Sequence, residues 1–376
     1  MTRRERLMAT LRGEPVDRPA VSFYEINGLE DTSDADPFNV YSDPSWQPLI
    51  QLAQDRSDRI VTRGAGLKDD PPNAFAGLEQ WATSYDMNGS RYDTLTLRLG
   101  RRVLTQCTQR DRDMNTVWTI EHLIKDVADL KAWLEVADFP AGTEVDSRSV
   151  LEAEAQLGDA GIVMLDTADP LCWAASLFEM GTFTVMAMTE PDLFRQMLEK
   201  CAAYLLPKTE LVARTLPGRL WRICGPEYAS EPYLPPRLFH DYVVPYVRPM
   251  VASIQRHGGF ARVHCHGRLR NILDSIVATG CMALDPIEPP PQGDVDLAYV
   301  RAKYGRQLVL FGNLEASDLE NLPTPRFEEK IRQAVREGTA GAGRGFVLMP
   351  SACPCGRVLA SLSLRNYAKM IDVVGA

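Results

Sequence analysis

Long apolar runs are missing from this sequence, and so is any excess of basic charge. No segment approaches the roughly 20 apolar residues that a membrane-spanning helix needs. Lysine and arginine total 41 against 50 aspartate and glutamate residues, which leaves a formal net charge of −9. Because no basic stripe is present to bind a phosphate backbone, we expect neither a membrane nor a nucleic-acid partner.

An export signal and paired cysteine spacings are also absent. The basic N-terminal segment lacks the continuous apolar core of a signal peptide. The eight cysteines are scattered and show no zinc-ribbon spacing, so we expect reduced thiols in a cytoplasmic protein, most of them packed in the core. Cys353 and Cys355 are the exception, because these two thiols flank a proline.

Histidine is scarce, with five residues in the chain, yet two of them occur together in His264-Cys265-His266. In an extended strand alternate side chains share a face, so the two imidazoles point one way and Cys265 the other. Ala261 and Val263 lie on the cysteine side, which should be buried against helices. Two such imidazoles supply half of a transition-metal site, and the alternative is a pair of hydrogen-bonded polar residues at a loop.

Short apolar runs recur along the chain, and helical patterns follow them. The predicted strands lie near Ala20–Tyr24, Arg59–Thr62, Ile162–Asp166, Leu220–Cys224, Ala261–Cys265, Ala283–Ile287, Leu308–Gly312 and Gly345–Met349. This alternation implies parallel strands joined by helical crossovers. Eight such units predict an α/β fold of the (β/α)8 TIM-barrel type, as one domain over residues 1–376. A doubly wound sheet is the alternative and fits the count less well.

One segment, residues 66–160, interrupts the alternation after the second predicted strand. Within it, Thr94–Leu99 and Val103–Gln109 alternate around Gly100-Arg101-Arg102, and Thr116–Ile120 suggests a further strand. We interpret the segment as a β-hairpin and helical insertion above the active-site face, where it would cover the substrate. The alternative is a surface hairpin without a functional role.

Polar residues follow nearly every predicted strand, at the end where barrel enzymes carry their catalytic groups. In strand order they are Glu25 and Asn27, Asp166 and Asp169, Glu227 and Tyr228, His264 and His266, Asp285 and Glu288, Asn313 and Glu315, and Cys353 and Cys355. Any one of them has an ordinary structural explanation, such as a helix cap or a turn. Together they suit a metal or polar-substrate site.

Zinc is the metal that this combination suits best. The histidines supply two nitrogens, Cys353 or less readily Cys355 supplies a thiolate, and Glu227 supplies an oxygen that a substrate could displace. A soft thiolate argues against magnesium or calcium.

Several separate blocks of the chain resemble the uroporphyrinogen decarboxylase superfamily. They are RERLMATLRGEPVDRPAV at the N-terminus, LPPRLFHDYVVPYVRPMVASIQRHGGFARVHCHG in the centre, KYGRQLVLFGNLE, and NYAKMIDVV near the end. The resemblance covers nearly the whole chain. It implies a (β/α)8 barrel, in agreement with the strand count, and it suggests a homodimer.

Within that superfamily the chain departs from the true decarboxylases. Their arginine-rich segment after the first strand is FYEINGLED here, and their paired aspartates are replaced by Gly225-Pro226-Glu227. The cobalamin-linked methyltransferase branch carries His-x-Cys-Gly and a later cysteine. Here His264-Cys265-His266-Gly267 and Cys353 align with them, with His266 where that branch has cysteine. The resemblance implies zinc ligands at His264, His266 and Cys353.

We therefore predict a zinc-dependent methyltransferase that moves a methyl group between a small molecule and a thiol or corrinoid acceptor, the corrinoid being carried by a separate protein. Predicted catalytic residues are Glu227, Glu25 and Asp166, and predicted substrate-binding residues are Asn27, Tyr228 and Asn313. One alternative is a decarboxylase of porphyrin biosynthesis, whose cationic groups would be Arg222 and Arg262. The other is a non-catalytic small-molecule binding barrel.

Overall fold

Eight parallel strands form the central sheet of the computed structural model, which describes residues 1–68, 78–139 and 142–375. The strands are β1 (Ala20–Val21), β2 (Arg59–Arg63), β3 (Gly161–Ala168), β4 (Leu220–Cys224), β5 (Phe260–Cys265), β6 (Ala283–Pro286), β7 (Val309–Leu314) and β8 (Phe346–Pro350). Their order in the sheet is β1-β8-β7-β6-β5-β4-β3-β2, with all pairs parallel. The predicted barrel and its eight strands are confirmed, and the doubly wound alternative is wrong.

The sheet is nearly closed: β1 and β2 share no ladder, and hydrogen bonds of Asp58, one from its backbone and others to its carboxylate, join the two strands instead. The Val21 amide donates to Asp58 Oδ2 at 2.8 Å, and the Asp58 amide donates to the Val21 carbonyl oxygen at 2.7 Å. Arg6 and Arg18 also donate to the Asp58 carboxylate, at 2.6 and 2.8 Å. The N-terminal helix is thereby tied to the open seam of the barrel.

Helices surround this sheet on the outside. In the described part of the chain the α-helices are Arg3–Arg12, Gln47–Arg56, Val127–Leu134, Arg148–Leu157, Pro170–Ser176, Met180–Thr189, Pro191–Thr215, Pro236–Tyr242, Val244–Arg256, Leu273–Ala278, Leu297–Tyr304, Ala316–Asn321, Thr324–Gly338 and Ser361–Val374. Among the described residues, no helix combines the length and apolar character that crossing a bilayer would require.

The core has two layers, which the alternation along β5 illustrates. Ala261, Val263 and Cys265 are buried in the layer between strands and helices. Phe260 packs against the apolar cluster inside the barrel, and Arg262 and His264 share its side of the strand. Leu7 and Leu11 of the first helix join the inner cluster. The side-chain parity predicted for the His264 strand is thus the one observed.

An antiparallel sheet is inserted in the chain between β2 and β3. Its four strands are Glu79–Met87, Ser90–Leu99, Arg102–Asp111 and Val117–Glu121, and a smaller pair joins Gly66–Leu67 to Val145–Asp146. The predicted runs 94–99 and 103–109 fall within the second and third strands. Residues 69–77 and 140–141 of the predicted insertion lie outside the described residues.

One end of this inserted sheet meets the barrel loops that follow β1 and β8. The Asn115 amide donates to the Cys355 carbonyl oxygen at 2.7 Å, and Arg110 Nη2 donates to the Phe38 carbonyl oxygen at 2.8 Å. Arg357 Nε donates to the Arg112 carbonyl oxygen at 2.9 Å. These contacts lie at the carboxyl end of the barrel strands. That the insertion covers a substrate stays a prediction.

Candidate functional site

Two histidine–carboxylate pairs stand at the carboxyl ends of β5 and β6. His264 Nδ1 is 2.7 Å from Asp285 Oδ2, and His266 Nδ1 is 2.8 Å from Glu288 Oε1. The two imidazole centroids are 4.5 Å apart. A carboxylate on Nδ1 fixes the ring orientation and leaves Nε2 of each histidine for a ligand, which is how metal-binding histidines are commonly held.

Each carboxylate belongs to a wider network. Burial alone would lower the pKa of His266, but the hydrogen bond and charge of Glu288 outweigh it and raise that pKa. Glu288 Oε2 also accepts from the Gly267 amide at 2.7 Å, so both of its oxygens are engaged. Glu288 therefore fixes the backbone after β5 as well as the His266 ring.

Asp285 is fully buried and faces a second partner, Arg262. Arg262 Nε approaches Asp285 Oδ1 to 2.9 Å as an ionic contact without hydrogen-bond alignment. Burial alone would raise the pKa of Asp285, but the charges of Arg262 and His264 outweigh it and hold the pKa at about 2. The Arg262 guanidinium is buried too, so neither charge has water as a partner.

A second ion pair lies across the neighbouring strands β3 and β4. Arg222 Nε and Nη2 donate to the two Asp166 oxygens at 2.7 and 3.0 Å, in the bidentate geometry typical of arginine and carboxylate. Arg222 Nη1 donates to the Tyr24 hydroxyl at 2.9 Å and lies 3.6 Å from Glu25 Oε1. The predicted catalytic residue Asp166 is thus held in an ion pair.

Tyr24 joins the two networks. Its ring stacks on His264 with centroids 6.0 Å apart, while its hydroxyl receives the Arg222 hydrogen bond. Its φ of +60° is uncommon for a bulky residue and is maintained only where the surroundings impose it. Sequence analysis did not select Tyr24, because neither the strand pattern nor the composition marks a strained residue.

Cys353 lies against another predicted residue, Glu25. Its thiol donates to Glu25 Oε2 at 3.3 Å, and burial together with the Glu25 charge raises the pKa of the thiol well above its ordinary value. Over residues 1–68, 78–139 and 142–375, no three His, Cys, Asp or Glu side chains form a group that could hold a metal ion. His264, His266 and Cys353 therefore do not form a ready-made zinc triad.

The donor chemistry of these three residues nevertheless suits zinc. Two imidazole nitrogens and one sulfur match the ligand types of zinc centres. Glu25 is already in position to accept the proton that the Cys353 thiol must lose before sulfur can bind a metal.

A cleft of about 460 Å³ opens beside His266. Its lining includes Glu227, Tyr228, Tyr233, Glu288 and Gly267. Burial, with a smaller effect from nearby Cys172 and Glu227, raises the pKa of Tyr228 to about 12, so this hydroxyl remains a proton donor near neutral pH. The structure thus brings the predicted residues Glu227 and Tyr228 together with one of the two histidines.

Gly225 sets the position of Glu227. It has a φ of +112°, and a Cβ added there would lie 2.0 Å from Cys172 Cβ, so only glycine fits. Its amide donates to Glu227 Oε2 at 3.1 Å. The turn after β4 therefore requires glycine both for its backbone angle and for close packing.

Two predicted substrate-binding residues do not line this cleft. Asn27 is engaged in its own turn, where its Oδ1 accepts from the Leu29 amide and its Nδ2 donates to the Glu25 carbonyl oxygen, both at 3.1 Å. Asn313 lines a separate cavity of about 100 Å³, together with Glu315 and Asp318. Burial, with smaller effects from Glu288 and Asp318, raises the pKa of Glu315 to about 7.

Asp169 makes the stability of this region depend on pH. Its Oδ1 accepts from the Cys172 amide at 2.6 Å, its Oδ2 has no hydrogen-bond partner, and burial raises its pKa to about 8. The unfolded carboxyl titrates near pH 4. Between about pH 4 and pH 8 the folded state therefore retains a proton that the unfolded state has released, and stability falls as the pH rises.

We expect Asp169→Asn to keep the helix cap and remove this pH dependence. The free energy of unfolding of the variant, compared with that of the parent protein, should rise by about 2 kcal/mol or more as the pH increases from 4 to 8. Urea unfolding at the two pH values measures the change. An equal difference between parent and variant at both values would contradict the assignment.

Comparison with known proteins places this chain in a family. The sequence pattern of the family described as "Uroporphyrinogen decarboxylase (URO-D)" matches residues 119–376, more than half of the chain. A protein named uroporphyrinogen decarboxylase from Psychromonas ingrahamii is 28% identical over 163 residues, which are 43% of this chain and 42% of that protein. The matched region thus spans less than half the length of that relative.

A solved structure shares the fold over its full length. The structure described as a methyltransferase from Methanosarcina mazei superposes with a TM-score of 0.62 at 16% identity and covers 100% of both chains. This likeness concerns the fold alone. The family match, which extends from the inserted sheet through β8 to the last helix, shows that the chain belongs to the uroporphyrinogen decarboxylase family of enzymes.

Proposed function

We propose that this chain is a zinc-dependent methyltransferase that moves a methyl group between a small molecule and a thiol or corrinoid acceptor. The observation that supports this best is the pair of histidines whose Nδ1 atoms are held by Asp285 and Glu288. That arrangement leaves the Nε2 atom of each ring to a ligand, as a zinc site would need, whereas a decarboxylase acting through cationic side chains would not need it.

In this proposal His264 and His266 would hold the zinc, and Cys353 would be the third protein ligand. Bound zinc would supply a Lewis acid for a substrate thiol, or for the oxygen or nitrogen of a methylated molecule. Glu25 would accept the proton of the Cys353 thiol, which already donates to its Oε2. Asp285 and Glu288 would fix the imidazole rings.

The remaining residues would bind and orient the substrate. Glu227 and Tyr228 line the cleft beside His266 and offer a carboxylate and a hydroxyl donor to a small molecule. Arg222, held by Asp166, keeps the Tyr24 hydroxyl in place on the other side of His264. Transfer to a thiol forms a carbon–sulfur bond as the bond from carbon to the donor breaks, and the thiol proton leaves.

The similar proteins are described by two different activities. The fold neighbour is described as a methyltransferase, and the relative from Psychromonas is named a uroporphyrinogen decarboxylase. Decarboxylation of a porphyrinogen with several carboxylates would need free cationic partners in the pocket. Arg222 is paired with Asp166 and Arg262 with Asp285, so neither guanidinium is left without a carboxylate of the protein itself.

A comparative assay tests the proposal. We expect about one zinc per chain after dialysis, and zinc-dependent methyl transfer from methylcobalamin to a small thiol, which releases cob(I)alamin. Uroporphyrinogen should give no coproporphyrinogen above background. Undiminished methyl transfer by metal-free protein would overturn the role of zinc, and coproporphyrinogen formation would favour the decarboxylase. The variant His264→Ala is the control for background reactions.

A further inference from the structure

The cavity of about 100 Å³ that Asn313 lines is strongly acidic. It lies between the end of β7 and the helix Thr324–Gly338. Four carboxylates and one ammonium group line it, those of Asp296, Glu315, Asp318, Glu337 and Lys330. An excess of negative charge in a partly enclosed cavity favours a cationic ligand. None of these residues lines the cleft beside His266, so the cavity is separate from the proposed zinc site.

Glu315 is the buried carboxylate of this cavity. The residue is 6% exposed, and its Oε1 has no hydrogen-bond partner among the described residues. Glu315 occupies the capping position of the helix Ala316–Asn321, but its side chain makes no capping hydrogen bond. Ser351 Oγ accepts from the first amide of that helix instead, at 3.1 Å. Because a buried carboxylate oxygen without a donor is costly, its position calls for a cation beside it.

The lysine of the cavity does not supply that cation. Lys330 Nζ is 2.8 Å from Asp318 Oδ2, and its side chain is 48% exposed. The carboxylate of Glu337 accepts from Gln333 Nε2 at 2.8 Å. Lys330 and Gln333 are thus engaged with carboxylates other than Glu315, which leaves Glu315 to a ligand from outside the chain.

The number and type of oxygens indicate Mg²⁺ as that ligand. Throughout the ranges that the structure describes, no three His, Cys, Asp or Glu side chains form a group that could hold a metal ion, which argues against a calcium cage of about six to eight protein oxygens. Mg²⁺ needs fewer, because it keeps several of its waters and is bound through one or two carboxylates. The cavity has room for them, since one water needs only about 10–15 Å³.

Two carboxylates are close enough to act together. Besides burial and the charge of Glu288, the charge of Asp318 raises the pKa of Glu315, so the Asp318 carboxylate lies near that of Glu315. Both oxygens of Glu288 are engaged, with His266 and with the Gly267 amide, so Asp318 is the better second ligand. Asn313 adds an uncharged amide oxygen to the cavity wall.

We propose that Glu315 and Asp318, with the amide oxygen of Asn313, hold a Mg²⁺ ion and several of its waters in this cavity. The ion neutralises the buried carboxylate and ties the end of β7 to the helix Ala316–Asn321 that follows it. It competes with Lys330 for Asp318. The site does not depend on zinc or on the reaction that the barrel catalyses, because its ligands are separate from the histidine pair.

Thermal unfolding of the full chain tests this site. After dialysis against a chelator, we expect Mg²⁺ at about ten times its dissociation constant to raise the unfolding midpoint of the parent protein by about 2 °C. Glu315→Gln should abolish this response. Without Mg²⁺ it should unfold no lower than the parent protein, because burying an amide costs less than burying a carboxylate without a partner. Glu329→Gln is the matched control, since Glu329 is exposed on the helix Thr324–Gly338 and does not line the cavity.

Binding of Mn²⁺, measured from the electron paramagnetic resonance signal of the free ion, gives the affinity directly. Glu315→Gln should raise the dissociation constant at least ~10-fold, because a direct ligand is lost. Lys330→Met should lower it, because the cation that competes for Asp318 is removed. His264→Ala should leave it unchanged, which separates this site from the zinc site. A parent protein that does not respond to Mg²⁺, or a Glu315→Gln variant that responds equally, would overturn the proposal.

Discussion

Replacing Asp285 with asparagine should lower the free energy of unfolding by about 3–5 kcal/mol, because the change leaves Arg262 as a buried charge without a counter-ion. Arg262 and Asp285 are both almost inaccessible to water, and their side chains approach to 2.9 Å. Asparagine preserves the size of the side chain and an acceptor for His264, so loss of the charge is the main effect. Urea unfolding monitored by fluorescence measures it.

The double variant Arg262→Met with Asp285→Asn is the control for that result. It removes both charges and keeps similar volumes, so we expect it to be more stable than Asp285→Asn alone. A single variant as stable as the parent protein would show that the guanidinium finds water or another acceptor, and the buried ion pair would then contribute nothing to the barrel interior.

Metal binding should separate the residues of the His264-Cys265-His266 segment. His264→Ala and His266→Ala should each lower zinc affinity by more than the roughly 10–100-fold that follows loss of an outer-shell partner. Cys265→Ala should keep zinc and cost only packing, about 1 kcal/mol, because Cys265 is buried on the helix side of β5. Zinc stoichiometry and competition with a chelator provide the two measurements.

The two later cysteines extend the same experiment. Cys353→Ala should lower zinc affinity as the histidine variants do. Cys355→Ala should lower it less, because Cys355 uses its backbone carbonyl oxygen, and not its thiol, to accept a hydrogen bond from the Asn115 amide. If Cys265→Ala lost zinc while His266→Ala retained it, the ligand set proposed from side-chain parity would be wrong. His264 and Cys265 would then have to reach the metal from one side of a distorted strand.

The barrel could be predicted because the sequence pattern of each strand lies within a few neighbouring residues. Each strand is a short apolar run that ends in a polar residue, and each run had to be buried between an inner cluster and a helix layer. The side-chain parity of β5 follows from the same period of two. Strand ends differ from the prediction by a few residues, most at β1, where the chain leaves the sheet after Val21.

Which side chains pair with one another in the site depends on the register between neighbouring strands. That register cannot be predicted from the sequence of a single strand. His264 lies directly beside Asp285 because β5 and β6 pair in that register, and Arg222 lies beside Asp166 because β4 and β3 do. Sequence analysis placed these residues at strand ends but could not tell which would neutralise one another. For the same reason it grouped Asn313 with Tyr228 as substrate-binding residues, although Asn313 lines a separate cavity from the one that Tyr228 lines.

The first strand of the inserted sheet was missed although a signal was present. Asn88-Gly89 stands between two alternating segments, and both residues have positive φ, 52° and 85°. This dipeptide is a strong hairpin signal, since type I′ turns require both residues in that conformation. Charged and polar residues on Glu79–Met87 obscured the pattern because that strand lies at the edge of the sheet and is exposed on both sides.

The seam between β1 and β2 connects the first residues of the chain to the histidines at the carboxyl end of the barrel strands. β1 is two residues long and pairs with β8 alone, so its second side is positioned by Asp58, which Arg6 and Arg18 hold in turn. Three residues beyond Val21 stands Tyr24, whose ring lies on His264. We therefore expect a substitution of Arg6, which would release Asp58, to shift Tyr24 and through it the His264 ring, although Arg6 contacts neither residue.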